Sequence, residues 1–206
     1  MARTGLLDAT RPEVPALGSL RVATDLDPAR REDTPLAFLS SVSGEGATTI
    51  ASSYAISAAA AGRRVLLVDV DLHTAALSQR FGWPRSPGLS DLLVGEVDAG
   101  AVIRTFDTRG VDLDVVSAGS PMTGATDALR SQAFADILDS WARTYDLVVI
   151  DAPPVLEFAD ARALSTLRID TVVVVRQHQR RTRLSSTLTE LKRAGANVIG
   201  LVVNEG

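Results

Sequence analysis

The nine residues Ser41–Thr49, SVSGEGATT, have the make-up of a loop that holds phosphate. Gly44 and Gly46 let successive backbone N–H groups turn inward, and a helix opening at Thr49 brings the positive end of its dipole to the same point. Thr48 offers the hydroxyl that would hold Mg2+. Between Gly46 and Thr48, where a lysine would reach the β- and γ-phosphates of a nucleotide, stands Ala47, which has neither the length nor the charge. A hydrogen bond to a charged group contributes about 1.5–3 kcal/mol, so the loss amounts to roughly 10- to 150-fold in affinity. Catalysis loses more, because the same charge steadies the transition state.

The acidic residues with matching chemistry follow apolar runs. Asp69 and Asp71 close RVLLVDVDL, and Asp151 sits in DLVVIDAPPV. Magnesium takes oxygen ligands and is usually held by one or two carboxylates together with substrate phosphates and water, so Asp71 and Asp151 could meet at one ion beside Thr48. An aspartate after a strand also caps turns and helices, and both uses are open. Asn204 ends the last apolar run. The sole lysine, Lys192, falls on a late amphipathic stretch, whereas Arg176, Arg180, Arg181 and Arg183 cluster in RQHQRRTR. That cluster is either a solvated face or a binding surface for an anion or an acidic segment. His73 and His178 form no metal constellation, no nucleophile–base triad is visible, and Trp83 and Trp141 read as packing or surface residues.

These groups need elements to position them. LAFLSS, RVLLVDV, LDVVSAG, DLVVIDA, DTVVVVR and NVIGLVVN are continuous, β-branched apolar runs, the pattern of strands buried on both faces. Between them lie the helical stretches TTIASSYAISAAAAG, DALRSQAFADILDSWARTY and RTRLSSTLTELKRAG, the last stopping at Gly195. Strand alternating with helix predicts an α/β fold: a mainly parallel sheet with helices on both faces, LAFLSS central. Ligands in such sheets sit at the carboxyl ends of the strands, here Gly44 to Thr49, Asp69 to His73, Gly119, Asp151 to Pro154, Arg176 to Gln179 and Asn204. Residues 1–14 are polar and proline-punctuated and are expected to form a flexible tail, with a short helix around ALGSLRVATDL. Residues 15–206 then make one domain.

Composition narrows the function classes. The 206 residues are 46% hydrophobic and 22% charged, as in a globular domain. A net charge of -4 implies no general affinity for nucleic acid or anionic membrane. The absence of cysteine excludes disulfides and thiolate metal sites. No apolar run approaches the roughly 20 residues of a membrane span, nor is there a signal-peptide core, which leads to the expectation of a cytoplasmic protein.

In order and spacing, the motifs resemble those of the cytoplasmic ATPase domain of bacterial tyrosine kinases of capsule and exopolysaccharide synthesis, a branch of the MinD/ParA-type P-loop NTPases. The resemblance runs from about Leu17 to Asn204. SVSGEGATT resembles the Walker A pattern S-x-x-x-G-E-G-K-[ST]-[ST], RVLLVDVDL the Walker A′ strand and DLVVIDAPPV the Walker B strand. FGWPRSPGLSDLLVGE, VVSAGS, ALRSQAF, FADARAL and VIGLVVN follow as further signposts. The resemblance implies a nucleotide site of Gly44, Glu45, Gly46, Ala47, Thr48, Thr49 and Asn204, the last near the adenine. It implies Mg2+ held by Thr48, Asp71 and Asp151, Asp69 as the base, and ATP or ADP as the bound nucleotide. It also implies a partner, the cytoplasmic segment of a membrane protein that determines polysaccharide chain length, and association with the membrane through it.

Departures from the family pattern accompany Ala47. The family's D-L-R-R-P is DLHTA, with His73 and Thr74 in place of two arginines. The N-terminal E-x-x-R-x-x-R that supports ring assembly is reduced to Arg21, with Pro15 and Gly18 at its other positions, which weakens any homo-oligomer. The tyrosine-rich tail of the kinases is not seen, and Tyr54 and Tyr145 lie in helical patterns. Together these point to a degenerate homologue that regulates polysaccharide assembly with weak or no ATP hydrolysis. An active ATPase or tyrosine kinase with an unusual loop, and a MinD/ParA-type positioning ATPase, are the other readings.

Overall fold

The computed structural model describes residues 13–31, 33–108 and 110–205. The tail expected over residues 1–14 thus lies almost wholly outside the described residues, and the first helix, α1 (Glu13–Asp25), begins two residues before the expected domain boundary. The strands are β1 (Leu36–Ser40), β2 (Val65–Asp69), β3 (Ile103–Thr108), β4 (Val111–Val116), β5 (Leu147–Asp151), β6 (Asp170–Arg176) and β7 (Asn197–Asn204), joined in one sheet of order β3-β4-β2-β5-β1-β6-β7. All pairings are parallel except β3 with β4. The expected α/β class and parallel sheet are observed. β5, not β1, takes the middle place, and β1 lies between β5 and β6.

Period-two alternation in the strands assigns the two faces. Leu36 and Phe38 of β1 and Leu67 of β2 pack with Ala51, Tyr54 and Ala55 of α2 (Ala47–Ala60) and with Leu77 of α3 (Ala76–Phe81). The intervening Ala37, Leu39, Leu66 and Val68 pack on the other face with Phe134, Leu138 and Trp141 of α7 (Gln132–Thr144) and Leu191 of α9 (Arg181–Ala194). Trp141 is core, while Trp83 stacks on Phe81 with ring centroids 5.2 Å apart. The stretch DALRSQAFADILDSWARTY holds two helices, α6 (Ala125–Leu129) and α7, because the Ser131 hydroxyl accepts from Phe134 N at 3.2 Å and starts a new helix.

α1 docks on α2 through buried Leu17, an Arg21 guanidinium donating to Ser57 O at 2.6 Å, and the Thr24 hydroxyl 2.6 Å from that of Tyr54. Arg21 is thus engaged within its own chain.

At the amino end of β6, Asp170 is fully buried and ties the segment before β1 to the sheet. It accepts from Arg30 Nη1 (2.7 Å), Arg31 N and Nε (2.9 Å each) and Asn197 Nδ2 (2.7 Å). Burial pushes its pKa up, but these donors outweigh burial and hold the carboxyl below the usual range. Asp170→Ala leaves Arg30 and Arg31 without their buried counter-ion and should lower stability by about 3–5 kcal/mol in urea denaturation. A loss within about 0.5 kcal/mol would show the cluster to be dispensable.

Candidate functional site

The loop from Ser41 to Gly46 leaves β1 at the carboxyl edge of the sheet and runs into α2, which opens at Ala47, two residues before the expected start at Thr49. Gly44 and Gly46 have φ of +83° and +96°, the left-handed region that glycine enters without strain. A Cβ on Gly46 would also lie 2.1 Å from Asn204 Nδ2, so any side chain there would displace the Asn204 amide. Gly46 is also the N-cap of α2, and no side chain caps the helix. The first-turn amides are therefore available to an anion in the way phosphate-binding helix ends use them.

Carboxylates hold the loop in shape. Glu45 is buried, and its Oε2 accepts from Ser41 N (2.8 Å) and Val42 N (3.3 Å), while Arg183 approaches its Oε1 at 3.5 Å. Glu45 thus serves the loop by shaping its backbone. Asn204, at the end of β7, donates to Glu45 O at 3.0 Å, which places it against the loop. Glu157 grips the tip, accepting from Ser43 N (2.8 Å) and Ser43 Oγ (2.6 Å). Ser41 Oγ accepts from Gln179 Nε2 and Thr187 Oγ1, both at 2.8 Å, which anchors α9 and the basic segment before it.

The three aspartates come together beside this loop. Asp69 and Asp151 are register partners at the carboxyl ends of adjacent parallel strands, and Asp71 is two residues further on. Their bonding separates them. Asp69 accepts from Asp71 N (3.0 Å) and Leu77 N (3.2 Å). Asp71 accepts from His73 N and Thr74 N (3.1 Å each) and from the Thr74 hydroxyl. Both therefore perform the turn-forming work that aspartates do after strands. Asp151 does not: it is 1% exposed, and neither carboxylate oxygen has a hydrogen-bond partner.

The fields follow from this. Burial, then repulsion by Asp151 and Asp71, pushes the Asp69 carboxyl well above the usual range. Burial likewise lifts Asp151 to about 7, with Asp71 adding to the rise and the nearby Thr48 hydroxyl and Arg80 opposing it. A buried carboxylate with no partner is costly unless a cation completes it. With Thr48 and Asp71 alongside, the donor set is the hard oxygen type that Mg2+ takes. Among the described residues no cluster of three or more His, Asp or Glu forms a protein-only metal cage.

His73 and Thr74, which stand where the resemblance leads one to expect arginines, each have a side-chain partner. His73 Nε2 lies 2.6 Å from Asp160 Oδ2, and its ring stacks on Phe158 at 4.1 Å. Arg85 braces the same turn, donating to Leu72 O at 2.9 Å and Gly119 O at 2.9 Å. The signposts around Gly88 and Gly119 prove to be a packing junction: a Cβ on Gly88 would meet Gly119 N at 2.4 Å, and Asp91 accepts from Gly88 N at 2.7 Å.

Among the arginines, Arg176 is exposed at the strand end and Arg183 reaches Glu45. The cation beside Asp151 is instead Arg80 of α3, whose Nη1 donates to Thr49 Oγ1 at 3.5 Å. Arg80, Arg85 and Glu157 went unnoticed in the sequence. A cleft of about 390 Å³ lined by Arg30, Arg31, Arg63 and Asp146 lies at the opposite, amino edge and holds none of the expected site residues.

A family profile described as "AAA domain" matches residues 36–194. The chain is 32% identical over 195 residues to EpsB of Ralstonia nicotianae, covering 94% of this chain and 26% of that one. It thus spans about a quarter of the length of the first curated relatives it matches. The solved kinase domain of the Escherichia coli tyrosine kinase ETK superposes with a TM-score of 0.87 at 26% identity, over 93% of this chain and 74% of that one. The septum site-determining protein MinD of Pyrococcus horikoshii, solved with Mg-ADP, shares the fold at a TM-score of 0.64 and 24% identity, over 83% of this chain and 70% of that one. The architecture is that of the P-loop NTPases.

Proposed function

The chain belongs to the AAA domain family, and from that membership we propose that it is a degenerate homologue of the bacterial tyrosine-kinase domain. In this reading it binds Mg-nucleotide weakly and acts chiefly through protein contacts in capsule or exopolysaccharide assembly. The observation that carries the reading is the contrast at the loop. Asp151 is buried with both oxygens unpaired beside Thr48 and Asp71, as a metal-nucleotide site requires. Position 47, which should carry the cation that draws in the β- and γ-phosphates, is an alanine.

Thr48, Asp71 and Asp151 would hold Mg2+, which when bound would neutralise polyphosphate charge. Gly44, Gly46, Ala47, Thr48 and Thr49 would wrap ATP or ADP with backbone amides, Asn204 would border the base, and Asp69, with its raised proton affinity, would act as base. Glu157 already occupies the amide of Ser43 at the loop tip, so a polyphosphate enters against that carboxylate with no lysine at position 47 to offset it. Weak binding and slow hydrolysis follow. The complete carboxylate set supports the second reading, an active ATPase or kinase with an altered loop.

The proposed partner is the cytoplasmic segment of a membrane chain-length-determining protein. Among the described residues no helix is long and apolar enough to cross a membrane; in this reading contact with the partner brings the chain to the membrane.

Titration calorimetry with ATP and ADP, each with and without Mg2+, tests the site, and intact mass after incubation with Mg-ATP tests the chemistry. The expected result is weak, Mg-dependent binding with phosphate release at the buffer rate and no mass change. Tyr54 is buried with its hydroxyl on Thr24, and the Tyr145 hydroxyl donates to Asp114 at 2.9 Å. Stoichiometric phosphate on either tyrosine, or rapid turnover, would establish the active-enzyme reading instead.

A further inference from the structure

Arg80 is the cation whose placement the fold does not otherwise account for. It projects from the last turn of α3 toward the start of α2, and its guanidinium is more than half withdrawn from solvent. Its Nε is buried with no hydrogen-bond partner. Its one hydrogen bond among the described residues is the long donation to Thr49 Oγ1 at 3.5 Å. Burial favours its loss of charge, and Asp151 opposes that loss. A guanidinium has five donors in a rigid fork, and keeping it half-buried with most of them unused is unfavourable unless an anion arrives to take them.

The other arginines near the loop are committed elsewhere or stand in solvent. Arg85 donates to the carbonyls of Leu72, His73 and Gly119. Arg183 pairs with Glu45, and Arg162 reaches Val155 O and Glu190. Arg176 is exposed. Arg80 differs in three respects at once: it is half-buried, it is under-bonded, and it faces both the first turn of α2 and the unpaired Asp151. A lysine at position 47 would act in the space bounded by the loop, that turn and the metal carboxylates.

We propose that Arg80 supplies, from helix α3, the positive charge on the bound polyphosphate that position 47 lacks. The inference rests on the nucleotide reading above and deepens it. The guanidinium approaches from the α3 side and not from within the loop, so it supports binding of the polyphosphate without reproducing the lysine's place between β- and γ-phosphate. A site with this arrangement retains nucleotide while remaining slow in hydrolysis.

The test is calorimetric titration of the full chain with Mg-ATP for the wild type, Arg80→Ala, Arg80→Lys, Ala47→Lys and the Arg80→Ala/Ala47→Lys pair. Each is checked by thermal melting for a folded state. Arg80→Ala should weaken binding about 10-fold or more, Arg80→Lys should keep part of the affinity, and Ala47→Lys should restore binding in the Arg80→Ala background. A role in packing alone would shift the melting temperature and would not be rescued from position 47. If Arg80→Ala binds as the wild type does, or if the wild type fails to bind while Ala47→Lys binds, the role of Arg80 is overturned and the nucleotide site stands. If neither the wild type nor Ala47→Lys binds Mg-ATP, the nucleotide reading falls and this inference with it.

Discussion

With Ala47→Lys, the chain binds Mg-ATP about 10-fold or more tightly than the wild type, the gain of one hydrogen bond to a charged group. Everything else the loop needs is already built. Gly44 and Gly46 hold left-handed backbone, α2 opens without a side-chain cap, and Asp151, Asp71 and Thr48 stand together at the sheet edge. The methyl of Ala47 is only 7% exposed and packs among the residues under α2. The lysine stem must therefore extend over the loop and not into the core, and an unchanged melting temperature would show that it does. The gain should be larger for ATP than for inorganic phosphate or sulfate, because the polyphosphate is what meets the Asp69–Asp71–Asp151 field. Calorimetry on the two proteins, with ATP and with phosphate, measures both. No gain over a wild type that already binds tightly would mean that Arg80 by itself supplies the whole of the missing charge and that position 47 adds nothing to it. No binding by either protein would mean that the site has decayed beyond position 47.

The double variant makes the comparison quantitative. If Arg80 and the introduced lysine address the same phosphates, the two substitutions are not additive, since groups that share a partner couple. The gain from Ala47→Lys is then larger when Arg80 is replaced by alanine than when it is present. Independent sites would give the same gain in both backgrounds.

The sequence made the sheet legible where burial dominates. Six of the seven strands announced themselves as continuous apolar runs: β1, β2, β5 and β6 because they are covered on both faces, while β4 and the edge strand β7 carry the same composition although they are only partly covered, Leu201 and Val203 being exposed. β3, IRTFDT, escaped because it is an edge strand, half-covered and antiparallel, with Arg104, Thr105 and Asp107 in its length. The break between α6 and α7 was readable in principle, since Ser131 before a helical run is an N-cap signal. The short helices α3, α4 (Leu89–Leu93), α5 (Ala99–Val102) and α8 (Asp160–Ala163) span too few turns to show a period.

The site divides along the same line. Gly44 to Thr49 and the three aspartates could be found because they follow strands and share spacing with a known pattern. Glu157 and Arg80 could not, because neither belongs to a local pattern. Glu157 reaches Ser43 across 114 residues of chain. Arg80 acquires meaning only when β2 and β5 place α3 beside Asp151. Which aspartate is structural was equally hidden: all three follow strands, and only the hydrogen bonds show that Asp69 and Asp71 hold turns while Asp151 holds none and has only the Thr48 hydroxyl and Arg80 near it.

That asymmetry gives the second large effect. In the metal-free protein, stability should fall as pH rises from about 4 toward about 8, opposite to the usual behaviour of a paired carboxylate. An unfolded aspartate titrates near 3.9, whereas burial holds Asp151 neutral in the fold until about 7. A group whose folded pKa is raised contributes stability that is fully present below its unfolded pKa and is lost as pH rises through the folded one. About three units at 1.36 kcal/mol each make the total on the order of 4 kcal/mol. Asp69, raised in the same direction, adds to the trend. Asp151→Asn keeps the shape and removes the charge, so it should flatten much of this slope. At about pH 8 it should leave the metal-free protein on the order of 1–3 kcal/mol more stable than the wild type, while abolishing the Mg2+ dependence of nucleotide binding. Urea denaturation in chelator across that pH range, paired with calorimetry in the presence and absence of Mg2+, measures both sides of the exchange. A substitution that stabilises the empty fold while removing the ligand response marks a residue kept for the ligand, since buried charge without a partner is otherwise a cost the fold has no reason to bear. If Asp151→Asn instead destabilises the metal-free protein at every pH, Asp151 is a structural carboxylate with a partner of its own, and the metal site must be sought elsewhere.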